Sequence, residues 1–244
     1  MKIIYDDDLI LDLPTANDNE DHTNFSSGSF IGDFLDNPFY FREVFAHTLA
    51  LRETLCCVRN DIFVEKAWDA MCGVGLGSSV LVKYLSPKYL RCSDISPESA
   101  TLLKTRNFQA DVRTMDIWEG AGADDYWDLI FVDFNNFTLT QLKWLQLLKS
   151  LITKTSMLIF SDSACFGFHR FPKNLKCYRV DNPQQYYFQL SEVLGGYLRA
   201  VVDHYNSAVV AVGARPYSGE VFWQRLNPND CRNYARRVSG RGLL

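Results

Sequence analysis

Apolar and polar positions along this chain switch repeatedly between two periods, and each switch marks the edge of an element. Residues 63–68 form a short run suited to a strand, after which Val80, Leu81, Tyr84 and Leu85 recur at helical spacing. Residues 89–94 predict a second strand. Ser96 then serves as N-cap, Pro97 takes the first helical position and Glu98 stands in the first turn, so a helix is expected to run on to Arg106. A third strand follows at 110–113 and a fourth, more apolar, at 126–133. Leu142, Trp144, Leu145, Leu147, Leu148 and Leu151 mark a helix, and the continuous apolar run 157–162 a buried fifth strand.

Nearer the ends the signals change. Residues 183–194 are helical and stop at Gly195-Gly196, ahead of two strand-like runs, 197–204 and 208–213, folded back on each other about Asn206-Ser207. Upstream, Val44, Leu49, Leu51, Leu55 and Val58 give residues 43–58 an imperfect apolar face that would pack on the core. Residues 1–30, with the polar stretch 14–24, are expected to be an extended or mobile arm. The organisation that results is an acidic arm and helix over 1–60, a core domain over 61–215 and an arginine-rich tail over 216–244.

The stretch from Asp69 to Gly77, Asp-Ala-Met-Cys-Gly-Val-Gly-Leu-Gly, sits at a strand-to-helix turn. Glycine there tolerates positive φ and close approach of a ligand, while the next helix offers unpaired N–H groups and a positive dipole end. Twenty-five positions beyond Asp69, Asp94 ends the second strand, near the spacing of a ribose-binding acid in a Rossmann-like unit. Nicotinamide and flavin proteins share that logic, but their fingerprint has a third glycine where this chain has Ser78, and it does not call for the acid at Asp69.

Length and composition bound the remaining choices. With 244 residues, 47% hydrophobic and 14% aromatic, the chain suits one globular domain with embellishments. No apolar run reaches the roughly 18 residues of a membrane helix, and the start carries Asp6-Asp7-Asp8 in place of a basic and apolar leader, so no membrane and a cytoplasmic setting are expected. Seven cysteines without a C-x-x-C suggest reduced, mostly buried thiols, with no metal-ligand spacing and no disulfide framework. Net charge is −4 but unevenly spread: residues 1–40 hold nine acids against Lys2, and the last twenty hold Arg225, Arg232, Arg236, Arg237 and Arg241 against Asp230. Each end is either a solvated face or, for the arginines, a contact for the phosphates of RNA or DNA. The oligomeric state is not written in the sequence.

Together these residues resemble the class I S-adenosylmethionine-dependent methyltransferases over roughly 61–213. The acid-x-x-x-Gly-x-Gly loop is matched by Asp69, Gly73 and Gly75, and the resemblance implies that this loop, with Cys72, wraps the methionine end of S-adenosyl-L-methionine. It further implies that Asp94 and Ile95 hold the ribose and that Asp116, with Ile117, meets the adenine. The implied fold is α/β, a Rossmann-like methyltransferase sheet of seven mostly parallel strands with an antiparallel seventh and helices on both faces.

Methyl transfer is an in-line displacement that needs positioning more than dedicated catalytic groups, so the cofactor is easier to read than the substrate. Residues 133–137, Asp-Phe-Asn-Asn-Phe, fall where the fourth strand meets the crevice. Asp133 and Asn135 would accept hydrogen bonds from an exocyclic amine and the phenylalanines would stack a base; the bland alternative is an ordinary loop. Residues 36–40, Asp-Asn-Pro-Phe-Tyr, come close to the motif of base-amine methyltransferases but lack its second proline. Phe39-Tyr40, the glycine loop and residues 93–97 are distantly similar to tRNA guanine-N2 dimethyltransferases, although the segment at Asp133 lacks that family's proline. A nucleic-acid methyltransferase, with RNA ahead of DNA, is the expectation. A small-molecule methyltransferase, a noncatalytic binding protein of the same fold and, further off, an aminopropyltransferase stand beside it.

Overall fold

The computed structural model describes residues 2–5, 9–12, 38–73, 75–105, 109–133, 141–162, 183–204, 207–227 and 229. In chain order the elements are β1 (Lys2–Tyr5), β2 (Leu9–Asp12), α1 (Pro38–Val58), β3 (Lys66–Ala70), α2 (Leu76–Leu85), β4 (Tyr89–Asp94), α3 (Pro97–Thr105) and β5 (Asp111–Thr114). They continue with α4 (Ile117–Gly122), β6 (Trp127–Val132), α5 (Gln141–Ile152), β7 (Thr155–Asp162), α6 (Pro183–Leu194), β8 (Tyr197–His204), β9 (Ser207–Gly213) and β10 (Phe222–Arg225).

The main sheet has the order β10-β8-β9-β7-β6-β3-β4-β5. Strands β3 to β7 pair in parallel, and β9 runs antiparallel to both β7 and β8, as the Gly195-Gly196 stop and the hairpin pattern imply. From β3 the chain steps outward through β4 to β5, then returns to the other side of β3 as β6. Ligands in such sheets bind at the carboxyl ends of the strands where the direction of winding reverses, here between β3 and β6.

Side-chain alternation builds the layers on either face. Leu129 and Phe131 of β6, with Met157 and Ile159 of β7, pack against α1, α2 and α3 through Leu49, Leu55, Leu81 and Leu103. Ile130 and Val132, with Leu158 and Phe160, face α4, α5 and α6 through Ala121, Leu148, Leu151 and Leu194. Both faces are covered, so these strands read as unbroken apolar runs.

The expectation of seven strands is corrected to eight. Strand β10 adds to the outer edge in parallel with β8, Phe222 opposite Ala200 and Arg225 opposite Asp203. Its four residues are too short for periodicity to register, and they lie in the stretch assigned to the tail. Arg225 therefore stands on the sheet. Ser207, expected in the turn with Asn206, instead pairs with His204 and begins β9, while Asn206 lies outside the described residues. Within the expected N-terminal arm, β1 and β2 form an antiparallel hairpin, Ile4 opposite Ile10. Helix α1 begins at Pro38, five residues earlier than its apolar face suggested, so that proline occupies a first helical position. Asp36 and Asn37 lie outside the described residues, as do 14–24, Asn135 and Arg232 to Arg241.

Candidate functional site

Strand β3 delivers Asp69 fully buried to the crevice, one residue before its end. Ser78 Oγ, from the first turn of α2, donates to Asp69 Oδ2 at 2.5 Å, and Cys92 Sγ lies 3.2 Å from Ser78 Oγ beneath it. Ser78, where a nicotinamide fingerprint has glycine, is thus the group that pins the acid. Asp69 Oδ1 is buried with no hydrogen-bond partner among the described residues. Burial, opposed by the Ser78 bond and assisted by the neighbouring Asp133 and Asp94, pushes the Asp69 carboxyl up to about 7.

The loop after Asp69 turns sharply. Met71 has φ 121°, uncommon for a residue with a side chain, and both Met71 and Cys72 donate their N–H groups to Ser93 O, at 2.8 and 2.9 Å. Gly75 has φ 81°, and a Cβ there would stand 2.2 Å from Leu103 Cδ2. A Cβ on Gly77 would stand 2.7 Å from Phe131 Cε1 and 3.2 Å from Asp69 Oδ2. At both positions the missing side chain leaves room for core side chains, so the loop backbone packs directly against Leu103 and Phe131. Cys72 itself is buried in the core, so its contribution to the loop would come from its backbone.

Asp94, at the end of β4, ties this loop to the next. Its Oδ2 accepts from Gly73 N–H and its Oδ1 from Ser96 N–H, each at 2.9 Å. Each carboxylate oxygen has a second acceptor position, so the pair can still receive two hydroxyls. Burial raises the Asp94 carboxyl while these amides hold it down. Ile95 beside it is exposed. Asp116 caps α4 by accepting from Trp118 N–H at 3.0 Å. Ile117 packs its side chain into the core with Trp68, whereas Trp118 is 39% exposed and is the residue that presents a surface there.

Asp133 follows β6 directly, two residues beyond Phe131, the partner of Asp69 across the switch point. Its Oδ1 is buried and without a hydrogen-bond partner among the described residues, and His47 Nε2 lies 3.8 Å from it. His47 projects from α1, and its Nδ1 lies 2.6 Å from Nε2 of His204, the last residue of β8. Both histidines are buried. Burial, then the neighbouring His47, drives the His204 imidazole well below the usual histidine range. Asp162 ends β7, buried, one strand over.

The structure thus brings Asp69, Gly73, Gly75, Asp94 and Asp133 to one crevice. Sequence reasoning passed over His47, His204 and Asp162. Helical spacing gives no hint that His47 faces a strand end more than 150 residues away. The available signal was positional: Asp69, Asp94, Asp162 and His204 each stand at or beside the carboxyl end of a strand.

No family model matches the sequence, and no curated protein does. Among solved structures the fold is similar to an S-adenosylmethionine-dependent methyltransferase from Clostridium acetobutylicum, with TM-score 0.53 and 12% identity over 77% of this chain and 98% of that one. It is also similar to magnesium protoporphyrin IX methyltransferase from Synechocystis with bound SAM, with TM-score 0.51 and 14% identity over 77% and 96%. The plantazolicin methyltransferase BpumL in complex with SAH matches with TM-score 0.50 and 13% identity over 75% and 93%. At such identities the likeness establishes the fold, the Rossmann-like α/β fold of S-adenosylmethionine-dependent methyltransferases. Among the described residues no helix is long and apolar enough to cross a membrane.

Proposed function

We propose that the protein is a methyltransferase that takes S-adenosyl-L-methionine and methylates an amine of a nucleic-acid base, RNA ahead of DNA. The observation that carries the reading is the row of acids around the glycine loop, with a buried oxygen on Asp69 and another on Asp133 that have no hydrogen-bond partner among the described residues. When bound, the cofactor supplies an electrophilic methyl group on a sulfonium. A buried carboxylate beside the glycine loop suits the cationic end of such a molecule, and Asp94 and Asp116 suit hydroxyl and amino donors at its other end. Ile117 would offer its backbone, and Ile95 and Trp118 exposed apolar surface.

Asp133 is the group that bears on the substrate. A half-buried carboxylate at the switch point accepts the hydrogen of a reacting amine as positive charge develops on nitrogen, and Asn135 would share that work. The choice of a base rests on the phenylalanines at 134 and 137 and the arginines at 232–241, in the sequence. The resemblance to tRNA guanine-N2 dimethyltransferases supports an exocyclic amine, while the missing proline after Asp133 leaves the identity of the base open. A small-molecule acceptor is the second reading, favoured by the names of two neighbours, which act on a porphyrin and on plantazolicin.

Incubation with methyl-labelled cofactor and separate pools of RNA, DNA, protein and metabolites tests the reading. Label in RNA is expected. Label confined to metabolites would establish the second reading, and cofactor binding without transfer to any pool would leave a binding protein of this fold.

A further inference from the structure

The two histidines behind Asp133 take part in nothing described so far. A buried imidazole pair unrelated to the site needs no carboxylate, yet here the pair ends on the carboxylate at the switch point. His47 Nδ1 faces His204 Nε2 at 2.6 Å, so one proton lies between two nitrogens and the tautomers are linked. Suppose that proton belonged to His47. The Nε2 lone pair of a neutral His47 would then face Asp133 Oδ1, negative against negative, and the proton of His204 would sit on Nδ1, a buried atom with no hydrogen-bond partner among the described residues. If His204 Nε2–H donates instead, the partnerless atom is only a lone pair, and His47 Nε2–H points at the carboxylate. Leaving an acceptor unpaired costs less than stranding a donor while a lone pair faces an anion.

We propose that His47 is a positioning residue: fixed by His204, its Nε2–H faces Asp133 and orients that carboxylate as the acceptor for the substrate. The two acids are close enough that Asp133 disfavours ionisation of Asp69. Two neighbouring carboxylates separate their roles when their surroundings differ, and they do here. Asp69 is fully buried and bonded to Ser78, whereas Asp133 is half-buried with His47 Nε2 3.8 Å from it. Among the described residues, the charged and titratable groups on the elements around Asp133 are Asp69 from β3, Asp94 beyond it from β4, His47 from α1 and His204 from β8, with Asp162 ending the adjacent β7. His204, neutral by burial, orients His47 without adding charge. At 3.8 Å the His47–Asp133 contact is longer than a hydrogen bond and acts through the N–H dipole, with room to tighten when an amine engages Asp133.

The relevance to catalysis rests on the amine-methylating reading above; the proton placement is read on the protein alone. Long-range proton–nitrogen NMR of histidine-labelled wild type at pH 7 is expected to show a protonated Nε2 on His47, and an unprotonated Nε2 there overturns the proposal. The same spectrum of His204→Phe supplies the second measurement. Removing the donor that fixes the tautomer is expected to leave His47 a mixture of both neutral tautomers. A His47 tautomer that ignores the substitution sinks the idea, even where stability falls. If the tautomers are as stated and no amine is ever methylated, the functional reading fails while the histidine device stands.

Discussion

Ser78 Oγ and Asp69 Oδ2 lie 2.5 Å apart inside the protein, and the other oxygen of Asp69 has no hydrogen-bond partner among the described residues. Burial outweighs the bond, so the carboxyl holds its proton up to about pH 7 in the folded chain, against about 3.9 in an unfolded one. Between those values the folded state carries more protons than the unfolded, and stability falls as pH rises. The contribution is fully present below about pH 4 and is lost as pH climbs through 7. Asp69→Asn abolishes this dependence. Urea unfolding at a series of pH values should show wild type losing roughly 1.4 kcal/mol per pH unit relative to the variant across that window. A constant gap would show that Asp69 ionises as freely folded as unfolded.

Asp94 does two jobs in the structure, bracing Gly73 and Ser96 through their N–H groups and keeping acceptor capacity for a ligand. Asp94→Ala is expected to weaken S-adenosylmethionine by one to two powers of ten, about 1.4 kcal/mol for each tenfold loss. Calorimetry on a variant with unchanged far-UV circular dichroism is the check; undiminished affinity would remove Asp94 from the site.

Gly77 presents the opposite of its propensity. Alanine is the better helix former by about 1 kcal/mol, and Gly77 is the second residue of α2. The Cβ would nevertheless stand 2.7 Å from the Phe131 ring, which is packed in the core and cannot retreat. Gly77→Ala should therefore destabilise by about 1–3 kcal/mol. Adding Phe131→Leu should recover part of that loss, a coupling that a double-mutant cycle in thermal unfolding would read.

Much of this fold was legible because parallel strands buried on both faces print unbroken apolar runs: β4, β6 and β7 came out within two residues of their bounds. The acids at the strand ends were legible for the same reason, since Asp69 and Asp94 interrupt such runs. What escaped was long-range. Strand β10 owes its existence to the open edge of β8, against which Val221 and Trp223 find apolar cover, and nothing within its four residues announces that edge. His47 reads as one polar position on an amphipathic helix; only packing of α1 across β8 and β9 makes it the neighbour of His204.

The arginines at 232, 236, 237 and 241 are expected to grip phosphate in a weak, salt-sensitive way. Arg225 is separate from them, fixed on β10 opposite Asp203. Removing one arginine–phosphate pairing should flatten the slope of log affinity against log salt by nearly one unit. Replacing the four by Gln and titrating RNA and DNA at low salt measures this. Unaltered slopes would discard the patch and turn attention to small-molecule acceptors.

Asp133→Ala bears most directly on the chemistry. An exocyclic amine is a poor nucleophile because its lone pair is delocalised into the ring, and it gains acidity as the methyl group arrives. An acceptor fixed beside it therefore strengthens its hydrogen bond chiefly in the transition state. Loss of the Asp133 carboxylate should lower the single-turnover rate by about 10²-fold or more with cofactor affinity little changed. Asp133 also opposes ionisation of Asp69; once Asp133 is gone, Asp69 ionises at lower pH. That side effect gives the experiment its discrimination. A rate loss that persists at pH 8, where Asp69 is ionised in both proteins, belongs to Asp133 itself, whereas a loss that vanishes there was transmitted through Asp69. A parallel fall in cofactor affinity at every pH would instead move Asp133 from the substrate side of the crevice to the cofactor side.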